Sequence, residues 1–141
     1  MTLNLYSLEQ LHLITTSMMV AIIWIVQILH YPTFLFIDKK QYTEFQQFHM
    51  KKISYIIIPI MIVELFSGLG ILFLTQKGQI LFYGSLALLV LIWMLTGLLF
   101  TKYHSELSKK YNQETILQLI RFNWIRTLLW TIRLALLLKQ F

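Results

Sequence analysis

Residues 122–138 read FNWIRTLLWTIRLALLL, an apolar run of helical length that nevertheless carries Asn123, Arg126 and Arg133. About 20 residues rising 1.5 Å each cross a hydrocarbon core of ~30 Å, so the run is close to the length of a membrane span. Three more apolar stretches, Leu11–Pro32, Ile53–Leu74 and Ile80–Phe100, account with it for most of the 141 residues. Hydrophobic residues make up 57% of the chain, charged residues 13%, and the mean hydropathy is +0.67, well outside the balance of soluble proteins. The expectation is an all-α integral membrane protein: one antiparallel four-helix transmembrane bundle over residues 1–141, with helices at approximately 11–32, 53–74, 80–100 and 122–138.

The basic residues set the predicted topology. Lys39, Lys40, Lys51 and Lys52 lie between the first two stretches, and Lys102, Lys109, Lys110 and Arg121 between the last two. By the positive-inside rule both loops are cytoplasmic, and both termini lie on the non-cytoplasmic side of a multi-pass protein of the cell (inner) membrane. The short connection through Lys77 and the tip at Lys139 carry less charge. A net charge of +6 is thereby accounted for by topology, with the lipid bilayer and not nucleic acid as the partner. The leader MTLNLYSLEQLH has no lysine or arginine, so the first stretch is expected to be a retained helix. Cysteine is absent, which excludes disulfides and thiolate chemistry.

The two cytoplasmic loops are amphipathic and are expected to form short interfacial helices, with Phe45 and Phe48 or Ile116, Leu117 and Ile120 turned to lipid. Pro59 should kink the second helix, while Gly68, Gly70, Gly84 and Gly97 should let helices approach closely.

An ionisable group in the bilayer costs about 2.5–3.5 kcal/mol on insertion scales, so each needs a partner, a water cavity or a route to the interface. Glu64 lies 12 residues past Lys52 and 13 before Lys77, near mid-membrane, and Arg133 lies 12 residues past Arg121. Similar depth makes them a candidate pair; Arg133 alternatively snorkels outward or meets a partner chain. On the fourth helix Asn123, Arg126, Trp130 and Arg133 recur every three or four positions, with Thr127 close by, and on the first His12, Thr16, Met19, Ile23, Gln27 and His30 do the same. Both faces are expected to turn inward. Gln27, His30, Asn123 and Arg126 converge in the cytoplasmic half, where two donors and a cation suit an anionic or carbonyl group. His49 opens the second helix, His104 reads as a solvated loop residue, and Arg126 as a boundary residue. No zinc, phosphate-loop or nucleophile-elbow motif is present.

In layout the chain resembles small four-helix membrane proteins of the anthrone-oxygenase-like and haem-binding protoporphyrinogen-oxidase-like type. The resemblance rests on a histidine opening the first helix in LEQLHLITTSMMVAIIW, the Tyr-Pro of HYPTF, and a second helix of the form KKISYIIIPIMIVELFSGLGILF. It implies a membrane oxidase or oxygenase, in the second group with haem held by the first-helix histidine, here His12. The intramembrane lysine of that group's third helix is missing from GSLALLVLIWMLTGLLF.

The leading functional expectation is a redox or oxygenase-type protein whose interior binds haem, a quinone or an aromatic substrate. Glu64 and His30 would serve as proton-handling catalytic residues, and His12, Gln27, Asn123, Arg126, Trp130 and Arg133 would bind the cofactor or substrate. The alternatives are a non-catalytic subunit or assembly factor of a larger membrane complex, or a homo-oligomer of that kind, and a carrier for a small anion or proton.

Overall fold

In a computed structural model describing residues 4–75 and 80–141, the chain forms four long helices: α1 (Leu5–Phe36), α2 (Tyr42–Leu74), α3 (Ile80–Leu107) and α4 (Gln113–Gln140). No strand occurs among the described residues, and the connection through Lys77 lies outside them. α1, α2 and α3 are each long and apolar enough to cross a membrane. α4 is interrupted by Arg121, Arg126 and Arg133, and of these it buries the last two.

The helices overrun the apolar stretches that predict them, because hydropathy marks the hydrocarbon layer and not the point where a helix stops. α2 begins at Tyr42 and α3 continues to Leu107, so the expected interfacial helices are instead extensions of the long ones. No glycine or proline falls between residues 42 and 58 or between 98 and 113 to break them. These extensions build a second core at the basic end, in which Tyr31, Phe34, Tyr42, Phe100, Leu107, Ile116 and Leu119 are buried together. Ile116 therefore faces inward, not to lipid, and Phe45 packs against the same cluster while Phe48 stays exposed. Asn112 starts α4 by accepting from the backbone N–H of Glu114 at 2.9 Å and of Thr115 at 3.2 Å.

α1 lies against α2 and α4, and α3 against α4. Trp24 Nε1 donates to Thr131 Oγ1 at 3.1 Å, fixing α1 to α4. Gly68 sets the α1–α2 approach: a Cβ there would lie 3.0 Å from His12 Cε1 and 3.3 Å from a Leu86 methyl. Gly70 similarly accommodates Leu8, whereas Gly97 faces open space and serves no helix contact. α2 runs without interruption through Pro59.

The outward faces carry large apolar side chains over much of the bundle's length. Ile28, Ile58, Phe66, Phe73, Leu98, Leu128 and Ile132 are all exposed. So many large exposed apolar groups suit hydrocarbon and not water.

Two helices each contain one widened turn with π-type hydrogen bonding, at Val26–His30 in α1 and Thr96–Phe100 in α3. In α1 the widening precedes Pro32, which has no N–H to offer the carbonyl four residues back. In α3 it includes Gly97, and the Thr101 hydroxyl donates to the Thr96 carbonyl at 3.0 Å. Such turns concentrate at functional sites, and both lie beside the cavity described next.

Candidate functional site

The inward faces of α1 and α4 carry the residues that the spacing predicts. His12, Thr16, Met19, Ile23, Gln27, Asn123, Arg126, Thr127, Trp130 and Arg133 are all buried. They form two separate arrangements instead of one continuous pocket.

The deeper arrangement is a closed clamp centred on Glu64. Arg133 Nη1 donates to Glu64 Oε1 in a fully buried ion pair. Thr16 donates to the same oxygen at 2.8 Å, and Trp130 Nε1 reaches Oε2 at 3.4 Å. Arg133 also donates through Nε to the Ser85 carbonyl at 3.0 Å and through Nη2 to His12 Nε2 at 3.3 Å. His12 Nδ1 in turn donates to the Glu64 carbonyl at 2.9 Å, with Ser67 Oγ at 3.0 Å. All four helices thus contribute to one network, and intrachain pairing, not snorkelling, explains Arg133.

The second arrangement surrounds a cavity of about 180 Å³ in the basic half of the bundle. Its walls include His30 and Tyr31 from α1, His49, Ile53, Ile57 and Met61 from α2, Thr96, Phe100 and His104 from α3, and Arg126 from α4. It opens between α2 and α3, where Ile58 and Thr101 are exposed and Ile53, Ser54, Ile57 and Thr96 are half-buried. That mouth combines the isoleucines of α2 with the hydroxyl residues Ser54, Thr96 and Thr101.

Arg126 dominates the cavity's electrostatics. It is 4% exposed, its guanidinium lies 4.2 Å from the centre of the Phe100 ring and 5.3 Å from that of Trp130, and Nη1 donates to Asn123 Oδ1 at 3.3 Å. Asn123 is itself held by Gln27 Oε1 at 2.9 Å, and Gln27 donates to the Ile120 carbonyl at 3.3 Å. Arg126 Nε has no acceptor among the described residues. Glu64 is engaged by Arg133, so no carboxylate among the described residues forms an ion pair with Arg126. A buried N–H without an acceptor costs roughly 1–3 kcal/mol, more when charged, and of the buried side-chain atoms without a partner among the described residues, Thr75 Oγ1, Ser85 Oγ, Trp93 Nε1 and Arg126 Nε, only the last belongs to a charged group.

The histidines form linked pairs around this cation. His30 Nε2 and His49 Nδ1 are 2.9 Å apart, and His104 Nε2 lies 3.1 Å from the Tyr31 hydroxyl. Gln46 Nε2 donates to His104 Nδ1 at 2.8 Å, which makes Nε2 the protonated nitrogen that donates to the Tyr31 oxygen. The Tyr31 proton is then free to point elsewhere. Arg126 N–H and Tyr31 O–H are consequently two donors at the wall of one cavity, each with capacity for a further acceptor.

Of the predicted residues, His30 and Arg126 line the cavity, Gln27 and Asn123 support Arg126 from behind, and Trp130 bridges to the clamp. Glu64, His12 and Arg133 are absent from the cavity wall. His104 is not the solvated loop residue that the sequence suggests but a buried helical one, and Arg126 is a buried cation and not a boundary residue. Tyr31, His49 and His104 complete the site; the recurrence of Phe100, His104 and Leu107 at helical spacing beyond the apolar stretch is the signal that could have found His104.

Haem held by His12 does not fit the residues present. Both ring nitrogens of His12 are engaged by Glu64 and Arg133, and its side chain is fully buried away from the cavity. A cavity of about 180 Å³ is of the size that holds a single benzene-type ring, ~150 Å³ in an engineered example, and far below what a tetrapyrrole needs. Compared with protein families, curated proteins and solved structures, the chain matches none.

Proposed function

We propose that this is a multi-pass protein of the cell membrane, its basic end cytoplasmic, that binds a single-ring, oxygen-bearing apolar ligand such as a quinone headgroup or phenolic substrate for redox or oxygenase-type chemistry. The observation that carries the reading is Arg126, a buried cation that forms no ion pair among the described residues and lines a ring-sized cavity. A carbonyl or phenolate oxygen in the cavity accepts from the Arg126 guanidinium, and in the low dielectric of the bundle such a charge-assisted bond contributes about 1.5–3 kcal/mol. Phe100, Ile57 and Met61 offer apolar surface for the ring, and the mouth between α2 and α3 admits a ligand dissolved in lipid.

The division of roles follows from geometry. Arg126 holds the oxygen where negative charge develops, Tyr31 donates a second hydrogen bond, and His104 orients Tyr31. The hydrogen-bonded His30 and His49 exchange protons with the bound oxygen. Duroquinone, a single ring with two carbonyls, should quench the tryptophan fluorescence of the protein in nanodiscs in a saturable manner, because Trp130 borders Arg126. Quenching that rises linearly with duroquinone, as for dye dissolved in lipid, would count against the reading.

A further inference from the structure

We infer that the His30–His49 pair is a proton gate joining the ring-binding cavity to a groove at the basic end of the bundle, an inference that rests on the ring-binding reading. Both imidazoles line the cavity. Both also line a separate surface groove of about 240 Å³, whose wall includes Phe45, Phe48 and Lys52. The pair therefore borders both an interior space and a largely apolar surface groove that carries Lys52. Nothing else that titrates is shared by the two.

The geometry suits transfer. The rings are 4.5 Å apart at 41°, with His30 Nε2 and His49 Nδ1 at 2.9 Å. Each histidine keeps a second nitrogen, Nδ1 of His30 and Nε2 of His49, with no protein partner among the described residues. A proton binds one of these free nitrogens, the proton shared between the rings crosses, and the far nitrogen releases one. Only N–H bonds form and break, charge is conserved and no electron moves. The charged and titratable groups around the pair are Lys52 in the groove, His104 with its ring 5.9 Å from that of His49, Tyr31 beside His30, and Arg126 across the cavity. With a cation on either side, the pair is placed to pass a charge and not to store one. Phe34 and Phe45 pack edge-on and face-on against the imidazoles and hold both rings in register.

The test uses 4-nitrophenol as a chromogenic ring in the cavity of the full protein in nanodiscs. Its yellow phenolate band reports protonation, and its displacement by duroquinone identifies the bound fraction. After a stopped-flow pH jump, the bound probe in the wild-type protein should re-equilibrate rapidly. His49→Gln and, independently, His30→Gln should slow that step by about 100-fold for the probe fraction that remains displaceable by duroquinone, and added imidazole should restore the rate. Wild-type rates in both variants, with the probe still displaced by duroquinone, would overturn the gate and leave the ring site standing. Failure of the wild-type protein to bind 4-nitrophenol displaceably would overturn both.

Discussion

Arg133→Leu, with Glu64 retained, should lower the unfolding stability in detergent by about 3–5 kcal/mol, the range for leaving one member of a buried pair without its partner. The size follows from what remains. Glu64 keeps only Thr16 and a long bond from Trp130, while His12 Nε2 and the Ser85 carbonyl each lose a donor. Glu64→Gln alone should destabilise for the mirror reason, since Arg133 keeps its charge in a fully buried site. The double variant Glu64→Gln, Arg133→Leu should recover much of the loss, giving an interaction energy well above the ~0.5 kcal/mol expected of independent sites. Additive losses would show that the two side chains do not depend on each other.

Arg126 should behave in the opposite way. Arg126→Met removes a buried N–H that is unpaired among the described residues and costs about 1–3 kcal/mol, together with the bond to Asn123 and ring contacts to Phe100 and Trp130 that contribute about 0.5–2 kcal/mol each, so stability should stay within about 2 kcal/mol of wild type. Duroquinone affinity should nevertheless fall about 10- to 100-fold, the equivalent of one charge-assisted hydrogen bond. Two arginines two turns apart on one helix thus separate structure from function. A large stability loss in Arg126→Met with unchanged affinity would assign Arg126 to the scaffold.

The sequence groups the two arginines together, as residues that would both bind a cofactor or substrate. Counting residues from the flanking lysines and Arg121 places Glu64 and Arg133 at one depth, and the three-to-four spacing of His12, Thr16, Met19, Ile23 and Gln27 identifies an inward face; both follow from helical geometry alone. The same counting puts Arg126 near the boundary and so makes it look undemanding. What escapes it is the length of α2 and α3. Because these helices continue past the hydrocarbon-length runs, the bundle has a second core at its basic end, and Arg126 is enclosed by Phe100, Tyr31 and His104. The segment YHSELSKK reads as a solvated loop from composition, yet His104 and Leu107 face inward from a helix.

The closed clamp also weakens the ion-carrier reading of Glu64 and Arg133. Each charge is satisfied by fixed partners from four helices, and neither borders the cavity. The clamp ties all four helices together, α3 through the Ser85 carbonyl, outside the cavity wall.

The central claim, that the cavity between α2 and α3 receives a single apolar ring, is tested most directly by photo-crosslinking with an azido-substituted benzoquinone and mapping the adducts by mass spectrometry. The account predicts adducts on Ile53, Ile57, Met61 or Phe100, suppressed by excess duroquinone. Adducts spread over outward residues such as Ile28, Phe66 and Phe73, and unaffected by duroquinone, would contradict it.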